Sequence, residues 1–310
     1  MTRSELLITS RQNPRIVEAR KLDQRKHRDW QGRFLAEGLQ VLHMALDAGA
    51  RPLEIFYCES QFTGEEAPRL LRRFADAGAE QVPVSPEVMQ SLSERDVCQG
   101  IVATFAQADT RFESLALSGH ELVVVLDRLQ DPGNLGTLIR TADAVGAAAV
   151  ALIEPSVDPF DRKTVRGSMG SLFTVPLART GDVAGLFAFL RSRRLRTVGA
   201  DPQRGAAWGD PLWPGGVALI LGNEARGVSA DVFGYVQAWV HLPIVGQAES
   251  LNVAVAGGVL MYAWLRANQR QQQGCSQPAA NAQQGVNQYH EHHSAGHDEL
   301  LDRLGPGMRR

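Results

Sequence analysis

Apolar residues along this chain gather into short runs broken by polar, Gly- and Pro-containing stretches, and the runs alternate with segments whose apolar residues repeat at helical spacing. Continuous branched runs suit strands buried on both faces, as in a parallel sheet, and the helical segments are the layers that cover such a sheet. The first alternation predicts strand over 33–37, helix over 39–48, strand over 53–58, helix over 65–77, strand over 81–84, a short helix from Pro86 and strand over 101–105. That order is a small α/β domain. Residues 108–119 are polar, break the pattern and read as a linker. A second alternation follows, with strands over 121–126, 149–153, 217–221 and 240–244 and helices over 134–144 and 253–265. From Asn268 onward the pattern collapses into a glutamine-biased stretch and then a histidine-containing one, so 269–310 reads as a disordered tail. The expected organisation is a smaller domain over 1–107, a linker over 108–119 and a second α/β domain with a parallel sheet over 120–268, in keeping with about two domains for 310 residues.

Composition narrows the function classes. Hydrophobic residues at 44% and charged residues at 21% belong to a soluble globular protein. No apolar run approaches the roughly 18 residues of a membrane span, and the first residues lack the apolar core of a signal peptide, which points to the cytoplasm. Cys58, Cys98 and Cys275 are widely spaced with no metal-ligand pairing and fit reduced thiols. His290, His292, His293 and His297 lie in the tail with no fold around them to set a coordination geometry, so no metal is expected. The net charge of −2 hides an asymmetry, because residues 1–34 hold nine Lys or Arg against four Asp or Glu. Arg11, Arg15, Arg25, Lys26 and Arg28 are the candidates there for contact with a phosphate backbone, and a solvated helix face is the equal alternative.

Candidate chemistry concentrates at two strand-to-loop transitions. The run 217–221 stops at Gly222-Asn223, with Glu224, Arg226 and Gly227 following. The run 240–244 meets Pro243 and Gly246, and Ser250-Leu251-Asn252 leads into the last helical segment. Ligands of open α/β sheets bind outside the carboxyl ends of the strands, so two such loops suggest one site. Earlier, Asp131-Pro132-Gly133 reads as a turn before a helix whose first N–H groups are free for a polar ligand, with Asn134 and Arg140 on that helix. Gly133 and Gly136 give G-x-x-G rather than the dinucleotide fingerprint, which argues against a nicotinamide enzyme. Arg162, Lys163 and Arg166, and the cluster Arg191, Arg193, Arg194 and Arg196, are solvated turns and helix ends or further RNA contacts. Trp208 and Trp213, in a Gly/Pro-rich connection, favour local packing over base stacking.

Asn134-x-Gly136-x-x-x-Arg140, Gly222-Asn223-Glu224-x-x-Gly227, and Pro243 with Ser250-Leu251-Asn252 resemble the three ordered motifs of the SpoU (TrmH-like) RNA 2′-O-methyltransferases of the SPOUT superfamily. The stretch 162–176 is similar to the family's segment between the first two motifs. Ser10-x-x-Asn13-Pro14 and Phe34-x-x-Glu37-Gly38 resemble the substrate-binding extension of its ribosomal-RNA-directed members, a domain similar to ribosomal protein L30e. The resemblance covers residues 8–268. It implies a SPOUT domain with a deep trefoil knot, S-adenosyl-L-methionine bound at the knot through Gly222, Asn223, Leu242, Ile244 and Leu251, and a homodimer that completes each active site across its interface. The catalytic set it implies is Asn134, Arg140, Glu224, Ser250 and Asn252. The implied reaction is methylation of a ribose 2′-hydroxyl, most readily of guanosine in 23S-type ribosomal RNA; a transfer-RNA enzyme, or a non-catalytic RNA-binding or ribosome-assembly protein on the same scaffold, remain the alternatives.

The chemistry stands apart from the resemblance. A sulfonium methyl is already activated, so in-line transfer to oxygen needs alignment and removal of one proton. A guanidinium is a poor base, which makes Arg140 a grip on the substrate phosphate that orients the hydroxyl. Glu224 is expected to orient Arg140 or Asn134, and Ser250 and Asn252 to fix the loops.

Overall fold

The computed structural model describes residues 6–94, 98–209 and 212–274. The chain opens with two short helices, α1 (Pro14–Lys21) and α2 (Arg25–Gln31). Asn13 caps α1, its side chain accepting from the Arg15 N–H, with Pro14 in the first turn, and Gly32 closes α2 at φ 63°. Next come β1 (Arg33–Glu37), α3 (Leu39–Asp47), β2 (Pro52–Tyr57), α4 (Glu66–Asp76), β3 (Glu80–Pro83), α5 (Pro86–Leu92) and β4 (Ile101–Ala106). The four strands form a sheet of order β1-β4-β2-β3, antiparallel at β4 and parallel between β2 and β3.

The second half runs β5 (Leu122–Asp127), α6 (Pro132–Ala144), β6 (Ala149–Ile153), α7 (Arg162–Gly167), β7 (Leu177–Thr180), α8 (Val183–Ser192), β8 (Arg196–Ala200), β9 (Ala206–Ala207), β10 (Val217–Leu221), α9 (Ala230–Phe233), β11 (Ala238–His241) and α10 (Val253–Gly274). Its seven strands are all parallel, in the order β7-β6-β5-β10-β8-β11-β9. Every residue of β5, β6 and β10 is buried, the burial on both faces that their unbroken apolar runs require. Parallel strands put all their carboxyl ends on one edge. The loops after β5, β6, β8, β10 and β11 therefore meet there.

Several boundaries move. Helix α6 begins at Pro132, two residues before the expected start, because Asp131 is its cap, accepting from the Asn134 N–H at 2.7 Å, and proline is at home in the first turn. The expected strand 240–244 is β11 at 238–241. Pro243 has no N–H for a ladder, so Leu242 and Ile244 fall in the following loop. The segment 108–119 has no strand or α-helix, yet it is anchored, with Phe112, Leu115 and Leu117 buried and the Phe112 ring 5.6 Å from that of Phe189. Helix α10 continues to Gly274, past the expected tail boundary at 269, since an established helix extends through glutamine-rich sequence without a new nucleus. The rest of the tail, 275–310 with its histidines, lies outside the described residues.

Both sheets belong to one compact unit. Phe34 and Phe105 of the first sheet pack against Phe160 and Phe173 of the second half, with ring centroids 4.9 Å apart in the closest pairs. Around this aromatic seam the expected RNA-contacting arginines are engaged internally. Arg28 is 2% exposed; it pairs with Asp158 at 2.7 Å and donates to the Leu22 carbonyl at 2.7 Å. Arg28 is thereby removed from the RNA-contact set, because a buried guanidinium with its donors engaged offers nothing to a phosphate. Arg25 donates to Glu154 at 2.6 Å and to the Ser156 carbonyl at 3.2 Å. Arg15 bridges Glu54 and Glu80. Arg162 reaches Asp23 at 3.0 Å and the Leu92 carbonyl, and Arg166 reaches Glu94 at 3.3 Å. Burial alone would raise the Glu154 pKa, but hydrogen bonds from the Arg25 guanidinium and the Ser156 N–H, with Arg179 nearby, hold it below the ordinary glutamate value.

Candidate functional site

The loop after β10 is built by close backbone approach. A side chain at Gly222 would place its Cβ 2.2 Å from the Gly227 carbonyl carbon, so only glycine fits there, and Gly227 turns at φ 67°. Asn223 and Gly227 exchange backbone hydrogen bonds at 3.0 and 2.9 Å. The Asn223 side chain accepts from the Ala225 and Arg226 N–H groups and donates to the Arg128 carbonyl at 2.9 Å, tying this loop to the one after β5. Gly136 makes the second such approach, since a Cβ there would stand 2.8 Å from the Gly167 carbonyl carbon where α6 crosses α7.

On this frame Glu224 faces the start of α6. Its carboxylate accepts from the Gln130 N–H at 3.3 Å, the Asp131 N–H at 3.2 Å and the Asn134 side-chain amide at 3.2 Å. A carboxylate at a helix N-terminus is favoured by the free N–H groups and the helix dipole. Asn134 in turn accepts from the Asn252 amide at 3.0 Å. Asn252 caps α10, its Oδ1 accepting from the Ala254 and Val255 N–H groups at 2.9 and 3.2 Å. A single polarised chain of hydrogen bonds, Glu224 to Asn134 to Asn252 to α10, thus joins all three motifs.

Beside this chain lies a cavity of about 340 Å³ over the ends of β10, β8 and β11. Gly222, Asn223, Glu224, Leu242, Ile244, Ser250 and Leu251 all line it, which brings together the five expected cofactor contacts. Ser250 is exposed there and makes no hydrogen bond among the described residues. Asp201, Pro202 and Gln203 also line the cavity and were missed from the sequence. The signal for them was their place at the carboxyl end of β8, a strand not read from the pattern. The backbone donors of Gln130 and Asp131 were missed as well, because the expected turn hid the cap.

Arg140 stands apart. Six residues beyond Asn134 it is displaced by about 9 Å along α6. Its side chain is exposed and has no hydrogen bond or ion pair to Glu224 or any other described residue. Glu224 orients Asn134 and not Arg140. Of the remaining expected RNA contacts, Arg11 is exposed with its Nε on the Glu87 carbonyl, and Lys26 is exposed without an ion-pair partner among the described residues. Trp30, one turn from Lys26 on α2, is 79% exposed. Among the described residues no cluster of His, Cys, Asp or Glu is arranged to hold a metal, and no helix is long and apolar enough to cross a membrane.

Residues 121–262 match the SpoU rRNA methylase family, and residues 13–103 match the MRM3-like substrate binding domain. Among curated relatives, the chain is 32% identical over 255 residues to the 23S rRNA (guanosine(2553)-2′-O)-methyltransferase RlmP of Bacillus subtilis, covering 82% of this chain and 97% of that protein. It is 29% identical over 266 residues to the 23S rRNA (uridine(2479)-2′-O)-methyltransferase of Streptomyces viridochromogenes, covering 84% and 91%. Among solved structures, the AdoMet-bound rRNA methyltransferase from Sinorhizobium meliloti superposes with a TM-score of 0.75 at 32% identity, covering 84% of this chain and 97% of that one.

Proposed function

The chain belongs to the SpoU rRNA methylase family, and from that premise we propose that it transfers the methyl group of S-adenosyl-L-methionine to a ribose 2′-hydroxyl of 23S-type ribosomal RNA, with guanosine the favoured target. The observation that carries this reading is the hydrogen-bonded chain Glu224–Asn134–Asn252 at the edge of the cavity lined by 222–224, 242, 244, 250 and 251.

The cavity suits that cofactor. Leu242, Ile244 and Leu251 offer apolar surface to a flat base, and the loop at Gly222 brings bare backbone to its wall. When bound, the cofactor supplies an activated sulfonium methyl. The chain's own residues then have to orient the ribose hydroxyl where it can lose its proton. Asn134, fixed from both sides, presents a rigid amide beside the reacting centre, and Asn252 and Glu224 are positioning residues that hold it. Ser250 has a free hydroxyl for the substrate. Arg140 grips the RNA phosphate next to the target hydroxyl, and proton loss is assisted by that phosphate or by water.

A homodimer accounts for Arg140. Helix α10 lies along α6, with Gly257 against Leu138 and Gly258 near Thr141, and it leaves Val255, Val259 and Tyr262 exposed at helical spacing. A second copy covering this apolar stripe buries it and brings Arg140 to the neighbouring cofactor site. A deep trefoil knot fits the order of the sheet, in which β10 enters between the earlier strands β5 and β8 before β11 and α10 follow. Residues 1–107 act as an L30e-like domain that grips the RNA with Arg11, Lys26 and, where their ion pairs leave donors, Arg15 and Arg25; residues 120–268 are the SPOUT methyltransferase domain; and the enzyme works in the cytoplasm.

The test is transfer of labelled methyl groups to unmodified ribosomal RNA and transfer RNA, followed by alkaline hydrolysis. Ribose methylation blocks cleavage at its own phosphodiester, so label in an alkali-resistant dinucleotide from ribosomal RNA is expected. Label in mononucleotides would mean base methylation and a different reaction.

A further inference from the structure

A second concavity opens on the other side of the 222–227 loop. It measures about 1000 Å³ and lies over the carboxyl ends of β6, β5 and β10, whereas the smaller cavity lies over those of β10, β8 and β11. Asn223, Glu224 and Ala225 form the wall between them. A molecule in this groove is therefore one loop away from anything in the cofactor cavity.

The groove has unspent polar chemistry. Arg226 projects from the dividing loop, exposed and without an acidic partner among the described residues. Beneath the groove, Asp127 is fully buried, its Oδ2 accepting from the Ser229 N–H at 2.6 Å and its Oδ1 standing 3.9 Å from Arg128 Nε, and the Arg128 guanidinium pairs with Asp231, so these groups build the floor and leave Arg226 as the groove's free cation among the described residues. Arg128 is held at φ 58°, a conformation that non-glycine residues adopt mainly where the surroundings impose it. The far wall is Pro155, whose carbonyl accepts from the Gln130 amide at 3.1 Å. The next carbonyl, Ser156, is bonded by Arg25 of α2, so the rim of the groove continues into the N-terminal half of the chain.

We propose that this groove holds the nucleotide flanking the methylated one in the RNA strand, with Arg226 on its phosphate. The proposal rests on the RNA methyltransferase reading above. A ribose hydroxyl cannot be presented alone, because its phosphodiester neighbours enter with it, and single-stranded RNA is recognised through splayed nucleotides in such concavities. A free guanidinium suits a phosphate. The groove offers that cation within reach of the cofactor cavity and leads toward α2, which carries Lys26.

The experiment is steady-state methyl transfer to ribosomal RNA at several salt concentrations, with cofactor affinity measured in parallel, for the wild type, Arg226→Ala, Arg226→Lys and Ala230→Trp. Ala230 lines the groove, and a tryptophan there fills it without changing any charge. Arg226→Ala is expected to raise the RNA KM about tenfold and to lower the salt slope by about one, with cofactor affinity unchanged and Arg226→Lys partly restoring both. Ala230→Trp is expected to raise the RNA KM without altering the salt slope. An unchanged RNA KM in both Arg226→Ala and Ala230→Trp would overturn the proposal, and so would loss of cofactor affinity in step with transfer, which would make the loop part of the cofactor site alone. A wild type that binds cofactor but methylates no RNA would instead remove the functional reading on which the proposal stands.

Discussion

The arginines at the aromatic seam and those at the carboxyl edge of the parallel sheet are one residue type put to opposite uses. At the seam, Arg25, Arg28, Arg162 and Arg179 each meet at least one carboxylate from a distant part of the chain. At the edge, Arg140 and Arg226 are exposed with no acidic partner among the described residues. A paired, buried guanidinium locks two regions together, and an unpaired, exposed one keeps its donors for a phosphate. The comparison explains how a chain with a net charge of −2 can bind RNA: what matters is which cations are left unneutralised.

The largest effect is expected at the seam. Arg28→Ala leaves the buried Asp158, among the described residues, with only the Arg179 guanidinium at 3.6 Å and the Phe160 N–H at 3.1 Å, and should lower unfolding free energy by about 3 kcal/mol, read from urea denaturation. Cofactor affinity of the folded fraction should not change. At the edge the cost moves from stability to catalysis. Arg140→Ala should reduce methyl transfer by about 100-fold or more, leaving cofactor affinity and the denaturation midpoint near those of the wild type. Lost cofactor binding would instead make Arg140 structural.

A smaller effect separates the regions by pH. Glu154 has a folded pKa below its unfolded one, so its contribution is present above the unfolded value near about 4.3 and is lost as pH falls through the lower folded value. Glu154→Gln should cost about 1 kcal/mol at neutral pH, and the gap from wild type should narrow as pH falls through the lowered folded value in urea titrations. Methyl transfer should not follow that curve. Smallest is Lys26→Ala, which should change stability by less than about 0.5 kcal/mol and raise the RNA KM a few-fold with a shallower salt dependence.

These distinctions mark where sequence reading stops. The strands β5, β6 and β10 were legible because burial on both faces leaves an unbroken apolar run, and the three motifs because their glycines and polar residues break the apolar pattern in the loop after β10 and at the starts of α6 and α10. Strand β8 was not, since Arg196-Thr197-Val198-Gly199-Ala200 has no such run; its buried position comes from the strands on either side. The fate of an arginine was equally hidden. Arg28 and Asp158 are 130 positions apart, and nothing local to either names the other. The proline in 240–244 was visible, and its missing N–H gave the signal that the strand ended sooner. The link Glu224–Asn134–Asn252 required the fold, because each member belongs to a different motif loop.

The most direct test of this account asks whether the unpaired Arg140 serves a second copy. Chains carrying Arg140→Ala and chains carrying Asn134→Ala, each inactive alone, are co-purified as a mixed dimer with two different tags, and methyl transfer to ribosomal RNA is measured. If each site takes Asn134 from one chain and Arg140 from its partner, the mixed dimer has one intact site and should recover about half of the wild-type activity. If both residues act within the same chain, no intact site forms, and a mixed dimer as inactive as its parents would contradict the account.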